Sequence, residues 1–317
     1  MEENRICQML DIKYPIIMAP MFLVSNVEMI VQALESGIAA AFPALNYRTD
    51  KEFREAIVEI KSRTDKKFGV NIIVNKSNPK YPQQLETCVE MGVGFIITSL
   101  GSPKVVIEKA KPKGIKVFCD VTDVGYAEKV VALGADAIIA VSSQAGGHAG
   151  KIPTKELIGQ LKANFDIPIV SAGGVATSDQ LKEMLSFGAD GVSVGTVFIA
   201  AKECGVSDSY KQALIDYGAN DVVLTSNLSG TPLTVINTPY VQSIGTEANW
   251  LSRMIYKHKR FKKILKLIVA VRGMNQIKKA AFGATYKTYF VAGPSIEYIK
   301  EVRPLKDIVA DLVKGLD

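Results

Sequence analysis

Short, mainly apolar runs recur through the first two-thirds of the chain. They are PIIMAP (15–20), IAAAF (38–42), FGVNIIV (68–74), GFIITS (94–99), IKVFCD (115–120), DAIIAVS (136–142), IPIVSA (167–172) and DGVSVG (190–195). The runs do not alternate apolar with polar positions, which is the pattern of parallel strands buried on both faces. Helix punctuation lies between them. SNVEMIVQALESG offers Ser25 or Asn26 as an N-cap and stops at Gly37, and TSDQLKEMLSFG offers Thr177 or Ser178 and stops at Gly188. A helix ending in Gly-Ala-Asp ahead of the next strand occurs twice, at 134–136 and 188–190. Such βα units, spaced roughly 25 residues apart, predict an α/β fold of the closed (β/α)8 TIM-barrel type. The competing fold is a doubly wound open sheet; no G-x-G-x-x-G follows PIIMAP, which counts against its Rossmann dinucleotide-binding form.

After Gly195 the rhythm breaks. FIAAKECGVSDSYKQALID is helical in part, and DVVLTSNLSGTPLTVI reads as two short strands around a Ser229-Gly230 turn. The tail AGPSIEYIKEVRPLKDIVADLVKGL has the apolar spacing of one or two helices that pack back on the barrel. The expected organisation is a barrel over 1–210 and 286–317, with a small, mainly helical insertion or lid over 211–285 after strand eight.

Composition narrows the class. The chain has 317 residues, 48% hydrophobic and 22% charged, as in soluble globular proteins. Cys7, Cys88, Cys119 and Cys204 are scattered with no C-x-x-C pair. That disfavours a disulfide framework or a metal centre and suits a reducing compartment. No apolar signal core opens the chain, and ILKLIVAV (264–271) is too short for a membrane span. A cytoplasmic protein is expected. The net charge of +6 owes much to YKHKRFKKILK (256–266). An amphipathic helix over 254–272 with a solvated basic face is the plain reading. Attraction of an anionic partner, a nucleotide phosphate or an acidic carrier protein, is the sharper one. Interleaved stacking aromatics are lacking there, which speaks against nucleic acid.

In such barrels the site lies at the C-terminal ends of the strands. SAGGV and SVGT close strands seven and eight, where loops often seat a phosphate on bare backbone N–H groups. Gly173, Gly174, Gly195 and Thr196 suit that task, although glycines also simply permit tight turns. After strand six comes VSSQAGGHAG, with one of the two histidines in the chain, His148. It faces the same mouth and is the candidate general base; a solvated loop histidine is the alternative. His258 falls in the basic helix. A phosphate at strands seven and eight, with Met21, Phe22 and Asn71 from strands one and three, fits a flavin mononucleotide.

The motifs YPIIMAPM, FGVNI, AGGHAG, IPIVSAGGV, ADGVSVGTVFIAAKEC and FVAGPSIEYIKEV occur in this order along nearly the whole chain. Together they resemble the nitronate monooxygenase family, formerly the 2-nitropropane dioxygenases, which is similar to the FMN-dependent enoyl-acyl-carrier-protein reductases of the FabK type. The resemblance implies an FMN-binding TIM barrel with an insertion covering the site. It implies cofactor contacts from Pro20, Met21, Phe22, Asn71, Gly146, Ala172, Gly173, Gly174, Gly195 and Thr196, with His148 as the active-site histidine. Asp120, Gln144 and Gly147 complete the expected contacts. Two positions depart from relatives: APM stands where many have Gly-Gly-Met, and Asp120 stands where some place a lysine. A carboxylate at that place cannot neutralise an anionic reduced flavin, but it can orient a water or a substrate hydrogen bond.

The implied activity is oxidation of alkyl nitronates or nitroalkanes with O2 to carbonyl compounds and nitrogen oxyanions. The competing enzyme reading is an NAD(P)H-dependent reductase acting on an enoyl thioester or a quinone, with an acidic carrier as its partner. A flavin-binding sensor without turnover would have lost the histidine or the glycines. The oligomeric state stays open, a homodimer included.

Overall fold

The computed structural model describes residues 4–75, 78–227, 232–246 and 289–316. Eight parallel strands close into a barrel: β1 (Ile16–Met18), β2 (Ala39–Pro43), β3 (Gly69–Ile73), β4 (Phe95–Ser99), β5 (Lys116–Val121), β6 (Ala137–Val141), β7 (Ile169–Ala172) and β8 (Gly191–Val194). Six fall within the apolar runs, and β2 and β5 overrun theirs by one residue each, at Pro43 and Val121. Closure comes from β1 pairing with β8 in the register Ile16↔Val192 to Met18↔Val194. Both faces of these strands are buried, one against the barrel axis and one against the surrounding helices, which is why the runs do not alternate. The (β/α)8 expectation is met.

Helices follow the strands as the punctuation predicts. Asn26, not Ser25, caps α2 (Val27–Glu35), accepting from the Met29 N–H at 2.8 Å. Ser25 is taken by the β1–α2 loop instead. Thr177 caps α8 (Ser178–Ser186) in a reciprocal box with Gln180. The repeated Gly-Ala-Asp has a physical cause. Gly134 and Gly188 take left-handed φ values of +92° and +97° to end their helices. Asp136 then accepts from the Val117 N–H, and Asp190 from the Ile169 N–H, each at 2.9 Å, pinning the start of the neighbouring strand.

Inside the barrel, Ile17, Phe95, Ile97, Phe118, Ile139 and Val170 form one apolar cluster. Gly69 carries no Cβ because Phe95 occupies its place: an added Cβ would lie 2.3 Å from that ring. The bottom is plugged by α1 (Arg5–Leu10), whose Ile6 and Leu10 join the same cluster. The Arg5 guanidinium ties the plug to Asp190 at 3.0 Å. The polar groups are thereby gathered at the other, C-terminal end.

Beyond β8 come α9 (Thr196–Ile199) and α10 (Asp208–Asp216). The expected boundary at 210/211 falls inside α10. Ala213 and Leu214 of that helix join the core around the barrel, and the Tyr210 hydroxyl donates to the Val291 carbonyl at 2.5 Å. Past that helix come an antiparallel pair, β9 (Val222–Thr225) and β10 (Leu233–Ile236), and then α11 (Pro239–Ile244). Ser229-Gly230, the basic segment 254–272 and His258 lie outside the described residues. The tail returns through a 3-10 turn, Pro294–Tyr298, and α12 (Leu305–Leu312), whose Leu305, Ile308, Val309 and Leu312 are buried. Cys7, Cys88, Cys119 and Cys204 are free, buried thiols. Among the described residues no helix is long and apolar enough to cross a membrane.

Candidate active site

Every residue singled out for the cofactor or the chemistry stands at the C-terminal rim of the barrel. Pro20, Met21 and Phe22 lie in the β1–α2 loop, Asn71 in β3 and Asp120 in β5. Gln144 to His148 follow β6, Ala172 ends β7 with Gly173 and Gly174 after it, Gly195 follows β8 and Thr196 opens α9. The first loop is strapped from within. Ser25 Oγ accepts from the Met21 N–H at 2.9 Å and donates to the Ala19 carbonyl at 3.2 Å. Asn46 accepts from the Leu23 N–H at 2.8 Å and holds Leu23 in a left-handed conformation, φ +60°. Met21 thereby sits over Gly195, where an added Cβ would lie 3.5 Å from its sulfur.

The loops after β6 and β7 touch through bare backbone. Gly173, at φ +115°, has Ala145 N only 2.4 Å from where a Cβ would stand, and Gly174, at φ +79°, lies against the Gln144 side chain. Gln144 is itself held, its side-chain oxygen accepting from Thr154 Oγ1 at 2.7 Å. Gly146 packs on Gly293 and on the Thr196 hydroxyl, which accepts from the Gly293 N–H at 3.0 Å. Thr196 keeps its O–H free to donate, since the Gly293 bond uses only one of its lone pairs. The result is a rim of glycine backbone from the ends of β6, β7 and β8, in which an added Cβ would run into the neighbouring loop or side chain.

His148 ends this loop. The residue is exposed at the surface, yet the protein around it desolvates the ring and holds its imidazole below the ordinary histidine value. That favours the neutral, proton-accepting form.

A polar rail lines the opposite side of the mouth. Asn71 Nδ2 donates to the Ile97 carbonyl at 3.2 Å and to Ser99 Oγ at 2.8 Å, and Ser99 donates to Asp120 Oδ2 at 2.5 Å. Burial pushes the Asp120 carboxyl up to about 6, against the pull of the Ser99 hydrogen bond. A carboxyl that binds its proton more tightly when folded favours the fold at low pH. It withdraws that contribution as pH rises from its ordinary 3.8 through about 6. Asp120→Asn should remove this dependence. Urea titrations of the two proteins should agree near pH 4 and separate by pH 7, in favour of the variant, by up to about 3 kcal/mol. Parallel pH curves would exclude Asp120 as the titrating group.

The sequence reading named the rim, reached Ser99 as a strand end without giving it a role, and left out the other residues that brace it. Ser99, Asn46, Thr154, Thr234 and Gly293 make the contacts that hold the site residues in place. Ser99 ends a predicted strand and stood in the same survey as Asn71. The others act from 10 to 97 residues away and carry no local signal.

A parallel eight-stranded barrel with this glycine rim, a polar rail and a histidine at its C-terminal mouth defines a TIM-barrel enzyme built around a cofactor. The family model for nitronate monooxygenase matches residues 3–315. The chain belongs to the nitronate monooxygenase family and is a flavin-dependent oxidoreductase. A (3aS,4S,5R,7aS)-5-hydroxy-7a-methyl-1-oxo-octahydro-1H-indene-4-carboxyl-CoA dehydrogenase of Rhodococcus jostii is 30% identical over 242 residues, 76% of this chain and 68% of that protein. A probable nitronate monooxygenase of Staphylococcus saprophyticus is 27% identical over 286 residues, 76% of this chain and 80% of that one. Among solved structures, FabK from Thermotoga maritima aligns at a TM-score of 0.85 and 28% identity, covering 98% of this chain and 95% of its own. Nitroalkane oxidase from Streptomyces ansochromogenes shares the fold at a TM-score of 0.82 and 23% identity, with 96% of each chain covered.

Proposed function

We propose that the protein oxidises alkyl nitronates, and the nitroalkanes that are their conjugate acids, using FMN and O2. The observation that carries this reading is the family match over residues 3–315, with His148 set beside a glycine rim. The bound flavin supplies an acceptor for the substrate's electrons and a route from there to O2.

The chain's own residues do the rest. Gly173, Gly174 and Gly195 offer bare backbone to the cofactor phosphate, with no Cβ in the way. Asn71, its amide N–H groups committed to Ile97 and Ser99, keeps its side-chain oxygen as an acceptor for an N–H on the cofactor ring. Met21 and Phe22 give the ring an apolar wall. His148 takes the α-proton of a neutral nitroalkane onto an imidazole nitrogen; toward a nitronate, already deprotonated, it serves as a hydrogen-bond partner. Residues 211–285 are proposed as a cover over the mouth, supported by the contact that Thr234 makes with Gly147. The four buried thiols support a cytoplasmic setting.

The second reading is an NAD(P)H-dependent reductase of the enoyl-acyl-carrier-protein or quinone type. It is favoured by the 28% identity to FabK across 98% of the chain. Anaerobic spectroscopy of the purified protein separates the two. A nitronate should bleach the visible flavin band within seconds, while NADPH and NADH leave it standing. Bleaching by a nicotinamide and not by nitronates would overturn the first reading in favour of the second.

A further inference from the structure

The loop Ala145–Gly150 consists of alanines, glycines and His148, so its own side chains cannot fix its shape. External contacts hold it. Gly146 is wedged against Gly293 and Thr196, and the Gly150 N–H returns to the Ser142 carbonyl at 3.0 Å. The residue next to the histidine, Gly147, is held by one residue of the insertion. Its N–H donates to Thr234 Oγ1 at 2.7 Å, and its carbonyl accepts from the Thr234 N–H at 2.9 Å. Thr234 Oγ1 also approaches that carbonyl at 3.3 Å.

Gly147 takes a left-handed φ of +79°, so no steric preference of a side chain favours this conformation over others. Thr234 is 6% exposed and lies in β10, whose ladder with β9 pairs it with Leu224. Its hydroxyl therefore makes no contribution to that ladder, and what it satisfies is the Gly147 N–H.

We propose that Thr234 is a positioning residue for His148: by gripping both backbone groups of Gly147, it sets the direction in which the adjacent imidazole enters the mouth. The proposal rests on the reading of His148 as the proton-accepting group. It adds that the insertion completes the site by fixing that group's orientation, in addition to covering it. A valine at position 234 preserves the volume and the β-branch and removes only the hydroxyl. A serine retains the hydroxyl.

The test uses the flavin-loaded protein and two readouts. The chain has two histidines, so imidazole NMR resonances are few, and the spectrum of His148→Gln assigns the His148 signals. In Thr234→Val, His148 should titrate closer to an ordinary solvated histidine. The acid limb of the pH profile for nitroalkane turnover should move the same way. Its kcat on a neutral nitroalkane should fall by about 10- to 100-fold with KM little changed. Thr234→Ser should restore the native titration and most of the rate. A native His148 titration in Thr234→Val overturns the proposal, as does a Thr234→Ser protein that behaves like the valine variant. Should the valine protein fail to fold, Thr234→Ala carries the same expectations. Full nitroalkane turnover in His148→Gln would instead sink the reading of His148, and the NMR titration would still report whether Thr234 orients it.

Discussion

His148→Gln should give a folded, yellow protein that has lost about 10²- to 10⁴-fold in turnover of neutral nitroalkanes, the usual share of a positioned general base. The loss should be much smaller when the nitronate is supplied ready-made, because that substrate arrives without the proton the histidine is needed to take. Steady-state oxygen consumption with the two forms of one substrate measures the contrast. The pH dependence follows from the desolvated ring. Its proton affinity lies below that of an ordinary histidine, so the neutral base persists as pH falls below the usual histidine midpoint. Nitroalkane turnover by the native enzyme should hold into that range and decline only at lower pH. Equal losses on both substrate forms would place His148 in binding rather than in proton transfer.

Gly173→Ala should strip the protein of its flavin. The position combines a φ of +115° with an Ala145 nitrogen 2.4 Å from the new methyl, and the Ala145 and Gln144 backbone at 2.7 Å. Neither strain relaxes cheaply, since the neighbour is backbone. The left-handed conformation alone costs on the order of 1–3 kcal/mol in a non-glycine residue. Pushing Ala145 away would also move the loop that carries His148. Purified variant should show a lower visible absorbance per protein and a lower melting temperature than the native enzyme. Gly159→Ala is the control. That glycine lies in α7 (Thr154–Asn164) with nothing within 4 Å of an added Cβ, and the change should raise helix stability by about 0.5–1 kcal/mol. A flavin-replete Gly173→Ala would mean that the rim does not form the cofactor seat.

The barrel was legible because its strands are buried on both sides and so stand out as apolar runs. The strand-end glycines and His148 were legible for a related reason: once the strands are placed, their C-terminal ends are a short list to inspect. The plug helix α1 was not foreseen, because six residues hold too little periodicity to register. The position 210/211 lies inside α10, whose Ala213 and Leu214 join the core around the barrel, and the sequence offers no break there that would show it. Hardest to read were Thr234 and Gly293. Thr234 acts on the backbone of Gly147 from 87 residues away in sequence and Gly293 on the Thr196 hydroxyl from 97, and neither contact leaves a mark in local pattern.

The clasp between Thr196 and Gly293 also bears on how the enzyme is made. All eight strands have been synthesised once residue 194 is joined, yet Gly293 is added 97 residues after Thr196. At a synthesis rate of about 5–20 residues per second, the barrel precedes its own working rim by roughly 5–20 s. During that interval the nascent chain holds every strand of the barrel while the loop bearing His148 still lacks the tail that wedges it. The last brace of the site and the last part of the barrel's outer core thus arrive together, at the end of synthesis.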